Sequence, residues 1–329
     1  MLCTSCLIPK INKRVPFWEG GAMAIKLIMD TDPGIDDAMA LFYAIADPNI
    51  DLLALTTVFG NVTTEQATRN ALFLLETVGV DIPVAQGLSK PRELPAFPPS
   101  AHVHGSEGFG TLQVPEQTAK AIAETAPEFL VRMARKHKGE LVLSPIGPLT
   151  NVAAALDIDP EFCSNLKRIV IMGGSLRAGG NITKAAEANI YHDPHAADFV
   201  FRNGCNITLV GLDVTNRVIC PRSYFLKLAQ QSPKLGGLLH EMAEFYIDFY
   251  ETVGKFDGCG MHDPSALIAC SAPNLFVTED HKLRVICSGE RSGETISDQN
   301  FAGEVVKVCV EVNISAVKQK FFENVVKLE

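Results

Sequence analysis

No apolar run in this 329-residue chain approaches eighteen residues, which excludes a membrane-spanning helix. Basic residues are in deficit, with 29 lysines and arginines against 38 aspartates and glutamates and a formal charge of −9. A broad nucleic-acid or anionic-membrane surface needs clustered cations, so small ligands are the better expectation. Neither a Walker A loop nor a G-x-S-x-G elbow occurs, and phosphate cradling and acyl transfer lose ground accordingly. The nine cysteines, scattered from Cys3 to Cys309, lack the dense spacing of a disulfide scaffold. Reduced thiols and a cytoplasmic location are expected. Cys3 and Cys6 form one C-x-x-C pair, but no second pair follows at a zinc-ligand spacing.

An apolar fraction of 47% with a mean hydropathy of +0.14 is ample for a core and argues against a disordered chain. The first 25 residues differ, because Lys10, Lys13 and Arg14 face only Glu19. They lack the apolar core of a secretory signal and the Ser- and Arg-rich pattern of a transit segment. A disordered tail over 1–25 and a single domain over 26–329 are expected.

From residue 26 the chain repeats one unit in type though not in sequence. A short β-branched apolar run, a turn, and apolar residues at helical spacing make the βαβ signature. Strands are expected at 26–30, 51–58, 82–85, 141–144, 168–172 and 206–212. Most are continuously apolar, as strands covered on both faces should be. Helices are expected at 38–46, at 64–78 before Gly79, and from Asp193-Pro194, an N-cap and first-turn proline, to Gly204. Helical stretches at 222–231, at 235–253 and from near Asp263 precede late strands at 283–288 and 305–312. The fold class is therefore α/β: one domain with a mostly parallel, doubly wound sheet, helices on both faces, and the active site at the carboxyl ends of the strands. Segments 92–115 and 254–261 are expected as long active-site loops.

The densest chemical signal is Asp30-Thr31-Asp32-Pro33-Gly34-Ile35-Asp36-Asp37. Four carboxylates at the end of a buried strand repel one another unless a cation or many donors compensate, and oxygen-rich clusters suit Ca²⁺ or Mg²⁺. First-turn positions of a helix account for Asp36 and Asp37 through the macrodipole, but not for all four. Val58-Phe59-Gly60-Asn61, Pro145-Ile146-Gly147-Pro148 and Met172-Gly173-Gly174 each follow a strand and so share one crevice. Asn181, Glu187 and Asn189 form a set able to hold several hydroxyls. In His262-Asp263-Pro264 the aspartate reads either as a helix cap or as a further ligand. The glycine-rich run from His104 to Gly110 is expected to be a mobile lid.

Together with Ala186-Glu187-Ala188-Asn189-Ile190, these segments resemble the inosine–uridine preferring nucleoside hydrolases, in the family's order and from about Lys26 to the C-terminus. The resemblance implies hydrolysis of the N-glycosidic bond of ribonucleosides to ribose and free base, in nucleoside salvage and catabolism, by a homodimer or homotetramer. It implies a Ca²⁺ held by Asp32, Asp37, the backbone carbonyl of Ile146, and Asp263. By the same resemblance Asp36 and Asn61 meet the 2′ side of ribose, Asn189 and Asp263 the 3′ side, and Asn181 with Glu187 the 5′-hydroxyl. Met172 would contact the sugar and His104 would lie near the base. Ala188 stands where some relatives carry an aromatic residue.

Such cleavage builds positive charge on ribose and negative charge on the departing base, so it needs a water activator and help for the leaving group. Asp32 fits the first role, as a carboxylate beside a water polarised by a cation. His262 fits the second as proton donor, with Tyr246 and Tyr250 on the preceding helix shaping or assisting the base pocket. Two alternatives stand beside this reading. An aspartate-nucleophile phosphatase would use Asp30-Thr31-Asp32, but Gly34 stands where that motif needs Thr or Val, and no cationic clamp for phosphate is evident. A non-catalytic nucleoside- or ribose-binding protein would keep the pocket without turnover.

Overall fold

Continuous apolar runs become strands here because helices cover both faces of the sheet. In β1 (Ile25–Thr31), Leu27 and Met29 face one hydrophobic core and Ile28 faces the other. The same alternation recurs in β4 (Leu141–Pro145), where Val142 opposes Leu141 and Leu143, and in β5 (Arg168–Met172). The computed structural model describes residues 24–254 and 257–328; Cys3, Cys6 and nearly all of the expected tail lie outside the described residues.

The other strands are β2 (Ile50–Thr57), β3 (Val84–Gln86), β6 (Ile207–Val210), β7 (Ile219–Cys220), β8 (Cys259–Gly260), β9 (Phe276–His281), β10 (Leu283–Val285), β11 (Thr295–Ser297) and β12 (Val306–Val312). Eight of them form one sheet in the order β3-β2-β1-β4-β5-β6-β12-β9, parallel except for β9, which runs antiparallel to β12. The helices are α1 (Ile35–Ala46), α2 (Thr64–Val78), α3 (Ala101–His104), α4 (Ala126–Lys136), α5 (Thr150–Ile158), α6 (Phe162–Asn165), α7 (Ala188–His192), α8 (Pro194–Asn203), α9 (Leu212–Thr215), α10 (Arg222–Gln231), α11 (Leu235–Gly254), α12 (His262–Ser271) and α13 (Ile314–Val326). Among the described residues no helix is long and apolar enough to cross a membrane.

The mostly parallel α/β architecture agrees with expectation, and the departures have physical reasons. The edge strand β9 lies outside the expected set because Phe276-Val277 is followed by the polar Thr278-Glu279-Asp280-His281, leaving no apolar run to mark it. The expected strand at 283–288 is shorter and leaves the main sheet, pairing as β10 with β11 in a separate antiparallel hairpin. Helices α4 and α13 also fall outside the expected elements. The segment 254–261 contributes β8, which pairs with β7.

The chain runs from β1 outward to β2 and β3, then returns to place β4 on the other side of β1. This reversal opens a crevice at the carboxyl ends of β1 and β4, where ligands of such sheets bind. The aspartate segment leaves β1 there, and Pro145-Ile146-Gly147 leaves β4 beside it.

Candidate active site

The acidic floor comes from the turn between β1 and α1. Helix α1 is buried on all sides over Ile35–Ala44, so its first turn carries Asp36 and Asp37 into the interior. Carboxylate oxygens of Asp36, Asp37 and Asp263 lie within 4.8 Å of one another. With Asp32, all four acids are at most 5% exposed. Asp37 is the best satisfied: Oδ1 accepts from Thr31 Oγ1 (2.5 Å) and Asp32 N (3.3 Å), and Oδ2 from Gly34 N (2.9 Å) and Asn61 Nδ2 (3.0 Å). Asp32 Oδ2 accepts from Asn61 N at 2.7 Å, whereas Asp32 Oδ1 and Asp36 Oδ1 have no hydrogen-bond partner among the described residues. Backbone crowds Asp32 from two sides. A Cβ at Gly60 would sit 2.1 Å from its Oδ2, and one at Gly147 2.5 Å from its Oδ1.

Burial, then the charge of Asp37, pushes the carboxyl groups of Asp32 and Asp36 up from the ordinary range. Burial raises Asp37, and burial followed by Asp36, Asp37 and Asp32 raises Asp263. Orphaned oxygens and mutual repulsion are what a cation relieves, and the all-oxygen donor set suits a hard divalent ion. The geometric trio differs from the expected ligand set in one respect: it contains Asp36 and omits Asp32. Asp30, the remaining acid of the motif, faces elsewhere, accepting from Thr56 Oγ1 (2.6 Å) and Asn151 Nδ2 (2.8 Å).

Beyond β4 and β5 the polar groups interlock. Asn189 Nδ2 donates to the carbonyl of Ile146 (2.8 Å) and to that of Met172 (3.2 Å), which brings three expected site residues together. Glu187 caps α7, its carboxylate accepting from the backbone N–H groups of Asn189, Ile190 and Gly174. It therefore fixes the Met172-Gly173-Gly174 turn whatever else it touches. Asn181 is exposed and is tied to this group only through the Ala188 N–H it accepts (2.9 Å).

Opposite the acids stands a wall of neutral groups. Tyr246 and Tyr250, one helical turn apart on α11, link the two halves: Tyr246 donates to Asp36 Oδ2 (3.4 Å), the two hydroxyls lie 3.5 Å apart, and Tyr250 meets His262 Nε2 at 2.7 Å. Burial pulls His262 down to about 4, so its imidazole is neutral near pH 7. His104 Nδ1 accepts from Ile35 N (3.2 Å) and its ring packs on Tyr246, 5.3 Å between centroids. Burial, then His262 and His102, lowers His104 to about 3.

The His104–Gly110 segment, expected as a mobile lid, is packed down instead. Phe109 is fully buried, 6.0 Å from the ring of Phe73. Asn70 of α2 donates to both Pro33 O (3.0 Å) and Glu107 O (2.8 Å), and Arg69 pairs with Glu107 at 2.6 Å. Asn70 thus ties the aspartate turn to the histidine loop. It falls outside the expected site, as does Asn151; an asparagine among the apolar residues of a helix is the signal that points to each.

A family model described as inosine-uridine preferring nucleoside hydrolase matches residues 27–319. The chain belongs to this family. It is 42% identical over 304 residues to the probable uridine nucleosidase 2 of Arabidopsis thaliana, covering 89% of this chain and 94% of that one. It is 40% identical to the non-specific ribonucleoside hydrolase RihC of Escherichia coli over 90% of this chain and 97% of that one. A solved purine-preferring ribonucleoside hydrolase from Gardnerella vaginalis superposes with a TM-score of 0.88 at 36% identity, covering 92% of this chain and 98% of that one. This nucleoside hydrolase is an N-glycosidase that cleaves ribonucleosides to ribose and free base. The phosphatase alternative falls with that assignment.

Proposed function

We propose that this hydrolase, built on residues 26–329, works with a Ca²⁺ held by Asp32, Asp37, the Ile146 carbonyl and Asp263. The observation that carries the reading is the convergence of buried acids whose oxygens at Asp32 and Asp36 lack partners. A cation bound there would supply Lewis-acid polarisation of the attacking water and a grip on the ribose hydroxyls. Asp32 takes the proton of that water with Oδ1, the oxygen that no described group hydrogen-bonds. Asp36 and Asn61 hold the 2′ side of ribose, Asn189 and Asp263 the 3′ side, and Asn181 with Glu187 the 5′-hydroxyl, while Met172 packs on the sugar.

His262 presents a ring N–H to the departing base as a hydrogen-bond donor, with Tyr246, Tyr250 and His104 forming the rest of its pocket. As a neutral imidazole it acts by donating one N–H into developing negative charge, not as a standing cation. The enzyme acts in nucleoside salvage and catabolism as a cytoplasmic homodimer or homotetramer; the free cysteines at seven described positions fit a reducing compartment. Relatives named for uridine and for purines make both base classes the first substrates to try.

A reducing-sugar assay over uridine, inosine and xanthosine tests the reading, with phosphate release from nucleotides as control. Free ribose from at least one nucleoside is expected. Tight nucleoside binding by calorimetry without ribose would return the protein to the non-catalytic alternative.

A further inference from the structure

We propose that Thr215 is a positioning residue that holds His262 in the tautomer protonated at Nε2. The inference rests on the reading of His262 as donor to the departing base. Thr215 ends α9, just beyond the carboxyl end of β6, and is completely buried. Its Oγ1 lies 2.8 Å from His262 Nδ1 and has no other hydrogen-bond partner among the described residues.

Burial turns that single contact into a choice of proton. A hydroxyl shielded from water must place its hydrogen on an acceptor or leave a buried donor unsatisfied. Nδ1 is the acceptor at hand, and it accepts only when the ring proton sits on Nε2. Either alternative, the Nδ1-protonated tautomer or the doubly protonated ring, would put an N–H against the threonine oxygen and strand the hydroxyl hydrogen. Gly260 closes the other side of the ring, since a Cβ there would lie 2.5 Å from Nε2. The imidazole is thereby clamped between a hydroxyl at Nδ1 and the α11 tyrosines at Nε2.

The order of donors follows from this choice. Thr215 gives to Nδ1, Nε2–H gives to Tyr250 at 2.7 Å, and the tyrosine hydroxyls, 3.5 Å apart, lead to Asp36 Oδ2 at 3.4 Å. A proton on Nε2 is directed to the side of Tyr250 and Tyr246, which the proposed function assigns to the base pocket; a proton on Nδ1 would leave Nε2 an acceptor with nothing to give. Thr215 therefore never needs to touch substrate to affect the leaving-group step. Removing its hydroxyl while keeping its shape should impair substrates that need help for the base and spare those that do not.

The direct readout is ¹⁵N NMR of the histidine-labelled enzyme: His262 should show a protonated Nε2 and a bare Nδ1, and the reverse pattern overturns the inference. Thr215→Val should lower kcat on inosine by about 10-fold or more, in the range typical of residues that orient a functional histidine, with KM nearly unchanged. It should nearly spare p-nitrophenyl riboside, whose leaving group departs as a stable anion, and Thr215→Ser should restore most of the loss. Equal losses of Thr215→Val on both substrates, no loss on inosine, or a serine variant as poor as the valine one would each overturn the role. His262→Ala separates the two levels. If that variant loses activity equally on both substrates, the donor reading of His262 fails; if its loss is selective and Thr215→Val has none, only the positioning role fails. Should Thr215→Val not fold, the tautomer of the unmodified enzyme and the Thr215→Ser variant still decide.

Discussion

The two walls of the crevice are built on opposite electrostatic terms. The acidic floor crowds Asp32, Asp36, Asp37 and Asp263 together with oxygens left unpartnered at Asp32 and Asp36. The facing wall of Thr215, His262, Tyr250 and Tyr246 is neutral and internally hydrogen-bonded. One wall is incomplete until something positive arrives, while the other stands satisfied and waits for negative charge to develop. N-glycosidic cleavage separates charge in that sense, with the sugar gaining positive character and the base negative.

The largest effect is expected from removing the proposed base from the floor while keeping its shape. Asp32→Asn should reduce kcat by roughly 10²- to 10⁴-fold with a smaller change in KM, in an enzyme whose circular dichroism is unchanged. A kcat within about threefold of the parent, with only ribose affinity weakened, would make Asp32 a ligand and move the water activator elsewhere.

On the opposite wall, His262→Ala should cost inosine on the order of 10²-fold in kcat while nearly sparing p-nitrophenyl riboside. Parallel kinetics on the two substrates measure this, and equal losses would assign His262 to supporting Asp263.

Within the floor, the proposed ligand set and the geometric trio disagree over Asp36, and metal affinity decides between them. Calorimetry should find Ca²⁺ binding weakened on the order of 10-fold or more by Asp37→Asn, and much less by Asp36→Asn, whose effect should appear in KM. The opposite ranking would place Asp36 in the ligand shell. The smallest effect is expected where the walls are joined. Asn70→Ala removes the donor to the buried Pro33 carbonyl and to the part-buried Glu107 carbonyl, and should cost about 1–3 kcal/mol in denaturant unfolding. It should also raise KM through the loosened His104 loop.

The walls also differ in how much of them could be read in the sequence. The floor was legible because most of it is one segment, 30–37, leaving a recognisable apolar strand. The continuously apolar runs likewise announced a sheet covered on both faces. The neutral wall gathers Thr215, Tyr246, Tyr250 and His262 from separate elements, and a threonine 47 positions from its histidine leaves no local pattern. Glycine content suggested exposure at 104–110, yet the buried Phe109 and the Asn70 bridge hold that run down, since glycine serves close packing as well as freedom. Strand β9 was silent for the converse reason: an edge strand needs little apolar sequence when one face is open to water.

The central claim is that the floor is completed by Ca²⁺. Elemental analysis of the purified enzyme, paired with ribose release before chelation, after chelation and after Ca²⁺ is returned, tests it most directly. One Ca²⁺ per chain is expected, with loss of turnover and of thermal stability when it is stripped and recovery of both on its return. Protein shown to be free of metal that still releases ribose at the full rate would contradict it.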